Sequence, residues 1–152
     1  MMSDVLPTSK SSYRVVLDTN VLISAFYFPN GLPRMVFDAV RKQHHTLLFS
    51  DATYLELLDV LYRDKFAHYA ATDEQRRRFA LLYRLLADHV SVTTITSDMV
   101  NDPTDEGILS LAVDGDADYL VTGNMKHFHT ESIAKCYPRL HVCTPRAFAE
   151  VL

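Results

Sequence analysis

The chain has 152 residues, of which 48% are apolar and 22% charged. These proportions suit one domain around one core and exclude a disordered or low-complexity chain. The formal charge is −4, from 15 Lys and Arg against 19 Asp and Glu. That balance excludes a protein that holds nucleic acid mainly by overall charge. Any nucleic-acid chemistry must therefore rest on a local site, with metal ions offsetting the acids.

Residues 1–12 are polar and read as a disordered lead-in to a single domain over residues 13–152. They lack the apolar stretch of a signal peptide, and no apolar run reaches the ~20 residues of a membrane helix. A soluble, cytoplasmic protein is the expectation. Tyr13–Leu17 is a β-branched apolar run that stops at Asp18-Thr19-Asn20. Val21–Phe26 then reads as a helix, so the segment predicts a buried strand followed by a helix. After the turn Pro29-Asn30-Gly31, the spacing of Leu32, Met35, Val36, Ala39 and Val40 predicts an amphipathic helix. Thr46–Phe49 is a second strand. Ser50 or Asp51 is placed to cap the next helix, whose apolar stripe reads Tyr54, Leu55, Leu58, Leu61 and Tyr62.

Asp73–Leu86 predicts a helix with Phe79, Leu82, Tyr83 and Leu86 turned inward and Arg76–Arg78 on a solvated face. Val90–Ile95 reads as a strand. Asn101-Asp102-Pro103 opens a helix to about Asp114, with Pro at the first helical position. Asp118–Thr122 and Leu140–Cys143 are further strands, and Pro145–Val151 a last helix. Cys136 and Cys143 form no metal-binding motif and read as two buried thiols. Alternation of strands and helices predicts a three-layer α/β/α sandwich around a mainly parallel sheet of four to five strands. Ligands of such sheets bind beyond the carboxyl ends of the strands, at the topological switch point.

Oxygen-bearing side chains recur at those ends. Asp18 closes the first strand, Glu56 lies early on the helix after the second, and Asp105 opens the helix after Val90–Ile95. Asn124 follows Asp118–Thr122. Mg²⁺ and Mn²⁺ prefer oxygen ligands, and phosphodiester hydrolysis uses them to acidify water and balance phosphate charge. Each residue also has a plainer reading. Asp18 and the Asp102-Pro103-x-Asp105 run suit helix capping, Glu56 suits solvent, and Asn124 suits a turn. His44-His45 and His127-x-His129 resemble metal pairs, but short His pairs in loops are commonly surface residues and a zinc site wants three or four ligands. Arg63 and Lys65, just past the Glu56 helix, are placed to meet substrate.

VVLDTNVLISAF (15–26), ELLDVLYRDKF (56–66), DPTDEGILSLAVDGDADYLVTGN (102–124), the KHF that follows, and TPRAF (144–148) together resemble a PIN domain. More narrowly they resemble the PIN-family (VapC-like) toxins of prokaryotic toxin–antitoxin pairs. The likeness implies a parallel α/β/α sandwich and a Mg²⁺- or Mn²⁺-dependent endoribonuclease. It assigns the family carboxylates to Asp18, Glu56 and Asp105, with Asp102 in support. The fourth acidic position is Asn124 here, which can offer a carbonyl oxygen but no charge. Asn20 and Thr122 fall at supporting positions. An RNA substrate, a partner antitoxin and a homodimer or higher homo-oligomer follow from the same likeness. Two other functions fit the residues: a catalytically degenerate module that binds RNA or a protein, and a phosphatase with Asp18 as nucleophile. The phosphatase would want a second Asp where Asn20 stands.

Overall fold

A computed structural model describes residues 12–152. The expectation of a disordered lead therefore falls, Ser12 apart, outside the described residues. Five strands form one parallel sheet: β1 (Arg14–Leu17), β2 (Thr46–Phe49), β3 (Asp88–His89), β4 (Tyr119–Val121) and β5 (His141–Cys143). Their order is β3-β2-β1-β4-β5. The chain steps outward from β1 through β2 to β3, then returns to lay β4 against the other side of β1. The switch point is thus between β1 and β4, whose register pairs Val15 with Tyr119, Val16 with Leu120 and Leu17 with Val121.

Side chains alternate across each strand and sort the core into two halves. Val15, Leu17, Leu47, Phe49 and Val121 face one set of helices: α1 (Thr19–Tyr27), α2 (Leu32–Lys42), α3 (Asp51–Leu61), α4 (Asp73–Leu86) and α7 (Pro145–Ala149). Val16, Leu48 and Leu120 face α5 (Glu106–Asp114) and α6 (Thr130–Cys136) on the other side. The inner strands β1, β2 and β4 are buried on both faces and read as continuous apolar runs for that reason, whereas the edge strand β3 is exposed. The three-layer sandwich matches the expectation from sequence.

Several local readings need correction. Val90–Ile95 is not a strand. Ladder pairing ends at His89, with one further bond from the Val90 N–H to the Phe49 carbonyl. The Thr93 and Thr94 N–H groups are drawn off by the Asp114 carboxylate. The helix expected from Asn101 divides into a 3₁₀ turn over Pro103–Asp105 and then α5. Helix α6 had little apolar signal: it has seven residues and buries only Ile133. Cys136 is exposed and Cys143 half-buried, so the pair is not two buried thiols.

The inward faces of α3 and α4 also differ from the expected stripes. On α3 the buried residues are Thr53, Leu57, Val60 and Leu61, while Leu55 is 65% exposed. On α4 they are Arg76, Phe79, Ala80 and Tyr83, leaving Leu82 and Leu86 at the surface. Apolar residues cover more than one face of α4, so periodicity could not choose between them; contacts with α1 do. The Tyr27 hydroxyl donates to the Leu61 carbonyl at 2.7 Å and accepts from Arg76 Nε at 2.8 Å. Arg76 also donates to the Ala71 carbonyl and the Asp73 carboxylate. Of the three arginines read as solvated, Arg76 is buried and only Arg77 and Arg78 are exposed.

Breaking this network leaves buried polar groups unmet. Tyr27→Phe should lower unfolding free energy in urea by about 1–3 kcal/mol, the cost of stranding such partners. Arg77→Ala should stay within about 0.5 kcal/mol. A Tyr27→Phe protein as stable as the parent would show that the network carries no weight.

Candidate functional site

Helix α1 begins where β1 ends, and Asp18 sits at the joint. Its N–H donates to the Val121 carbonyl at 2.9 Å, which extends the β1–β4 pairing by one step. Its carbonyl accepts from the N–H groups of Val21 and Leu22. Its side chain makes no capping bond. The carboxylate instead accepts from the Thr122 hydroxyl at 2.8 Å, with Asp18 5% exposed and Thr122 fully buried. Thr122 Oγ1 in turn accepts from the Asn124 N–H at 3.0 Å. The switch point thus closes into a relay from the Asn124 backbone through Thr122 to Asp18.

Glu56 is half-buried on α3, a helix started by Ser50, whose hydroxyl accepts from the Thr53 N–H in a capping box. Helices α1 and α3 pack together, which sets the Thr19 hydroxyl near enough to the Glu56 carboxylate to favour its charged form. Asp105 closes the 3₁₀ turn ahead of α5 and likewise makes no side-chain cap. The capping bond there belongs to Asp102, which accepts from the Thr104 N–H at 3.0 Å. The capping reading therefore holds for Asp102 and fails for Asp18 and Asp105.

The three carboxylates feel one another. Burial pushes the Asp18 carboxyl above its usual range, opposed by the Thr122 hydroxyl and reinforced by the Asp105 charge. Burial likewise raises Glu56, as do the charges of Asp18 and Asp105; the Thr19 hydroxyl and Arg63 oppose. Asp105 is raised by burial, with His127 lowering it and Asp102 raising it further. Like charges held near each other at a half-dry edge favour a proton or a cation.

Beyond them the arrangement loosens. Asn124 is half-buried beside the relay. Asn20 is exposed on the first turn of α1 and makes no side-chain hydrogen bond among the described residues. Arg63 is exposed and pairs with Asp59 at 2.9 Å, although its charge still reaches Glu56. Lys65 lies over the Phe66 ring, 5.1 Å from its centroid.

Two residues were missed from sequence. Thr19 was hidden inside Asp-Thr-Asn as an ordinary first helical residue. His127 had been read as a surface histidine, yet its Nδ1 lies 3.1 Å from Asp105 Oδ2. His129 points elsewhere, to the Asp98 carbonyl and the Asn101 side chain, so the two histidines form no pair. The KHF tripeptide after VTGN was the available signal.

A family model for the PIN domain matches residues 14–126. The chain belongs to the PIN-domain family. Among solved structures, this PIN domain is similar to a chain of VapBC2 from Rickettsia felis bound to a DNA fragment from their promoter. The match has a TM-score of 0.58 at 18% identity and covers 86% of this chain and 98% of that one. No curated protein matches the sequence.

The side chains gathered near the switch point offer oxygen atoms only, charged on Asp18, Glu56 and Asp105 and neutral on Asn124. Among the described residues no three His, Cys, Asp or Glu side chains converge tightly enough to enclose a metal ion. Such a spread set does not suit Zn²⁺, which takes close tetrahedral ligands. Oxygen donors are the kind that Mg²⁺ and Mn²⁺ prefer, and Mg²⁺ binds through one or two carboxylates and keeps several waters.

The raised carboxyls give a sign for pH dependence. Without metal, the folded protein holds these protons more tightly than the unfolded chain does. Their stabilising contribution is full below the ordinary carboxylate range and is lost as pH rises through the raised folded values. Asp18→Asn should therefore unfold at a higher temperature than the parent near pH 7 in EDTA, by about 2–4 °C for each kcal/mol gained. The gap should close toward about pH 3, where Asp18 is protonated in either state. A lower midpoint for Asp18→Asn at pH 7 in calorimetry would contradict the burial and crowding described for this carboxylate.

Proposed function

We propose that the protein is a divalent-metal-dependent endoribonuclease and the toxin member of a toxin–antitoxin pair. The supporting observation is that Asp18, Glu56 and Asp105 gather near the β1/β4 switch point within electrostatic reach, each raised by burial and two of them further raised by a neighbour within the trio. Asp18, Glu56 and Asp105 would hold the cation, with Asn124 offering a neutral oxygen. Bound there, Mg²⁺ or Mn²⁺ supplies an acidified water and offsets charge building on the phosphate oxygens.

The chain's own residues do the remaining work. The Thr122 hydroxyl fixes one oxygen of Asp18, and the nearby Thr19 hydroxyl favours the charged form of Glu56. Arg63, just past the end of α3, would meet an RNA phosphate, with Lys65 as a second cation in the same segment. Both act locally, as the net charge of −4 requires. Membership of the PIN family, whose members are generally nucleases, supports the activity. The likeness to a chain of a VapBC2 complex supports an antitoxin partner, and a homodimer or higher oligomer belongs to the same reading. Among the described residues no helix is long and apolar enough to cross a membrane, in keeping with action on cytoplasmic RNA.

One feature favours the second reading, a degenerate module that binds RNA or protein: the neutral Asn124 stands where the family commonly has an acid. Cleavage of an end-labelled structured RNA separates the two. The nuclease reading expects cutting in Mn²⁺ or Mg²⁺, none in EDTA, and a loss of roughly 10²–10³-fold in Asp18→Asn, the scale of removing one key electrostatic contact. A fully active Asp18→Asn protein would sink the site assignment. No cutting of several RNAs by folded protein would favour the binding module.

Asn124→Asp tests the fourth position directly. It adds a charge beside the trio and should tighten Mn²⁺ binding about tenfold or more, because ligand charge tunes affinity. Unchanged binding in a titration would place Asn124 outside the metal site.

A further inference from the structure

Asp105 has the least rigid support of the three carboxylates. It closes a short 3₁₀ turn at the end of an irregular stretch, and a loop alone does not hold a side chain to the precision a metal site needs. The structure fastens that stretch to a second loop. Val100 and Phe128, both buried, form an isolated antiparallel bridge. The Asn101 N–H donates to the His127 carbonyl at 2.8 Å, and the His129 N–H to the Met99 carbonyl at 2.9 Å. The Asn101 side-chain amide donates to the Lys126 carbonyl at 2.7 Å. The His127 N–H donates back to the Asn124 carbonyl at 2.9 Å, closing the turn that carries Asn124.

This latch sets the backbone of His127 and brings its ring to Asp105. The Nδ1 to Oδ2 separation is 3.1 Å, and the His127 side chain keeps 35% exposure against 13% for Asp105. An ionised carboxylate only accepts hydrogen bonds, so Nδ1 is the donor. We propose that His127 is a positioning residue for Asp105: its ring engages Oδ2 and fixes the orientation in which the carboxylate would meet a cation. Through the same latch, it holds Asp105 in step with the turn bearing Asn124. The role rests on the carboxylate-site reading above. It is the outer-layer arrangement by which a hydrogen-bonded ligand is held in one orientation, and losing such a partner commonly costs 10–100-fold in metal affinity.

The test is Mn²⁺ affinity, read from the free-ion EPR signal, for the parent, His127→Ala and His127→Asn. An Asn amide can present an N–H donor near the place of Nδ1. His127→Ala should bind Mn²⁺ about 10–100-fold more weakly, and His127→Asn should return to within a few-fold of the parent. Thermal midpoints in EDTA should be alike for all three, which separates positioning from a fold defect. Parent-like binding by His127→Ala, or an Asn variant no better than Ala, would overturn the proposal while leaving the carboxylate site standing. A parent that binds no Mn²⁺ would overturn both.

Discussion

Holding a carboxylate where water barely reaches it is costly unless hydrogen bonds or a counter-charge compensate. Asp18 is such a group, and much of the molecule around the switch point is arranged about it. The parallel pairing of β1 with β4 brings Val121 and Thr122 beside it, so that its backbone continues the ladder and its side chain takes the Thr122 hydroxyl. The Thr122 hydroxyl, the Thr19 N–H and His127 do not remove the cost, because burial and the Asp105 charge still raise the carboxyl. A carboxylate left electrostatically incomplete in this way favours a proton or a cation.

The sheet order explains why the incompleteness falls there. With β3-β2-β1-β4-β5, the connections from β1 and β4 leave in opposite directions and open a crevice between them. Asp18 enters it from β1 and the Thr122–Asn124 turn from β4, while α3 and the turn before α5 bring Glu56 and Asp105. Each comes from a separate segment, so their convergence is a property of the packing of the layers. The two apolar halves of the core, on either face of the sheet, therefore support the site from both sides.

Support for the carboxylates is uneven. Asp18 is anchored by the sheet and Glu56 by a helix with a capping box at its start, whereas Asp105 depends on loop-to-loop bonds. Asp102 completes that loop by capping its turn, at the price of adding a charge that raises Asp105. The same residue is thus structural in its bonds and electrostatic in its effect.

Local patterning in the sequence was enough to determine the layered α/β class, most of the strands and the run of α4, because strands buried on both faces and helix starts leave contiguous signals. It also placed Asp18, Asp105 and Asn124 at the ends of elements and Glu56 on the helix that follows β2, since a polar residue directly after an apolar strand stands out. Tertiary structure decided what one-dimensional spacing cannot carry. It chose which apolar stripe of α4 turns inward, through the bond between Arg76 and Tyr27. It ended pairing at His89, where Asp114, far along the chain, takes the Thr93 and Thr94 amides. It separated capping from site carboxylates, Asp102 from Asp18 and Asp105, because both roles use the same residue type at the same position. It also turned His127 toward Asp105 and His129 away, a choice made by the bridge between Val100 and Phe128. Each of these depends on contacts between residues distant in sequence, whose energy appears only once the layers have packed.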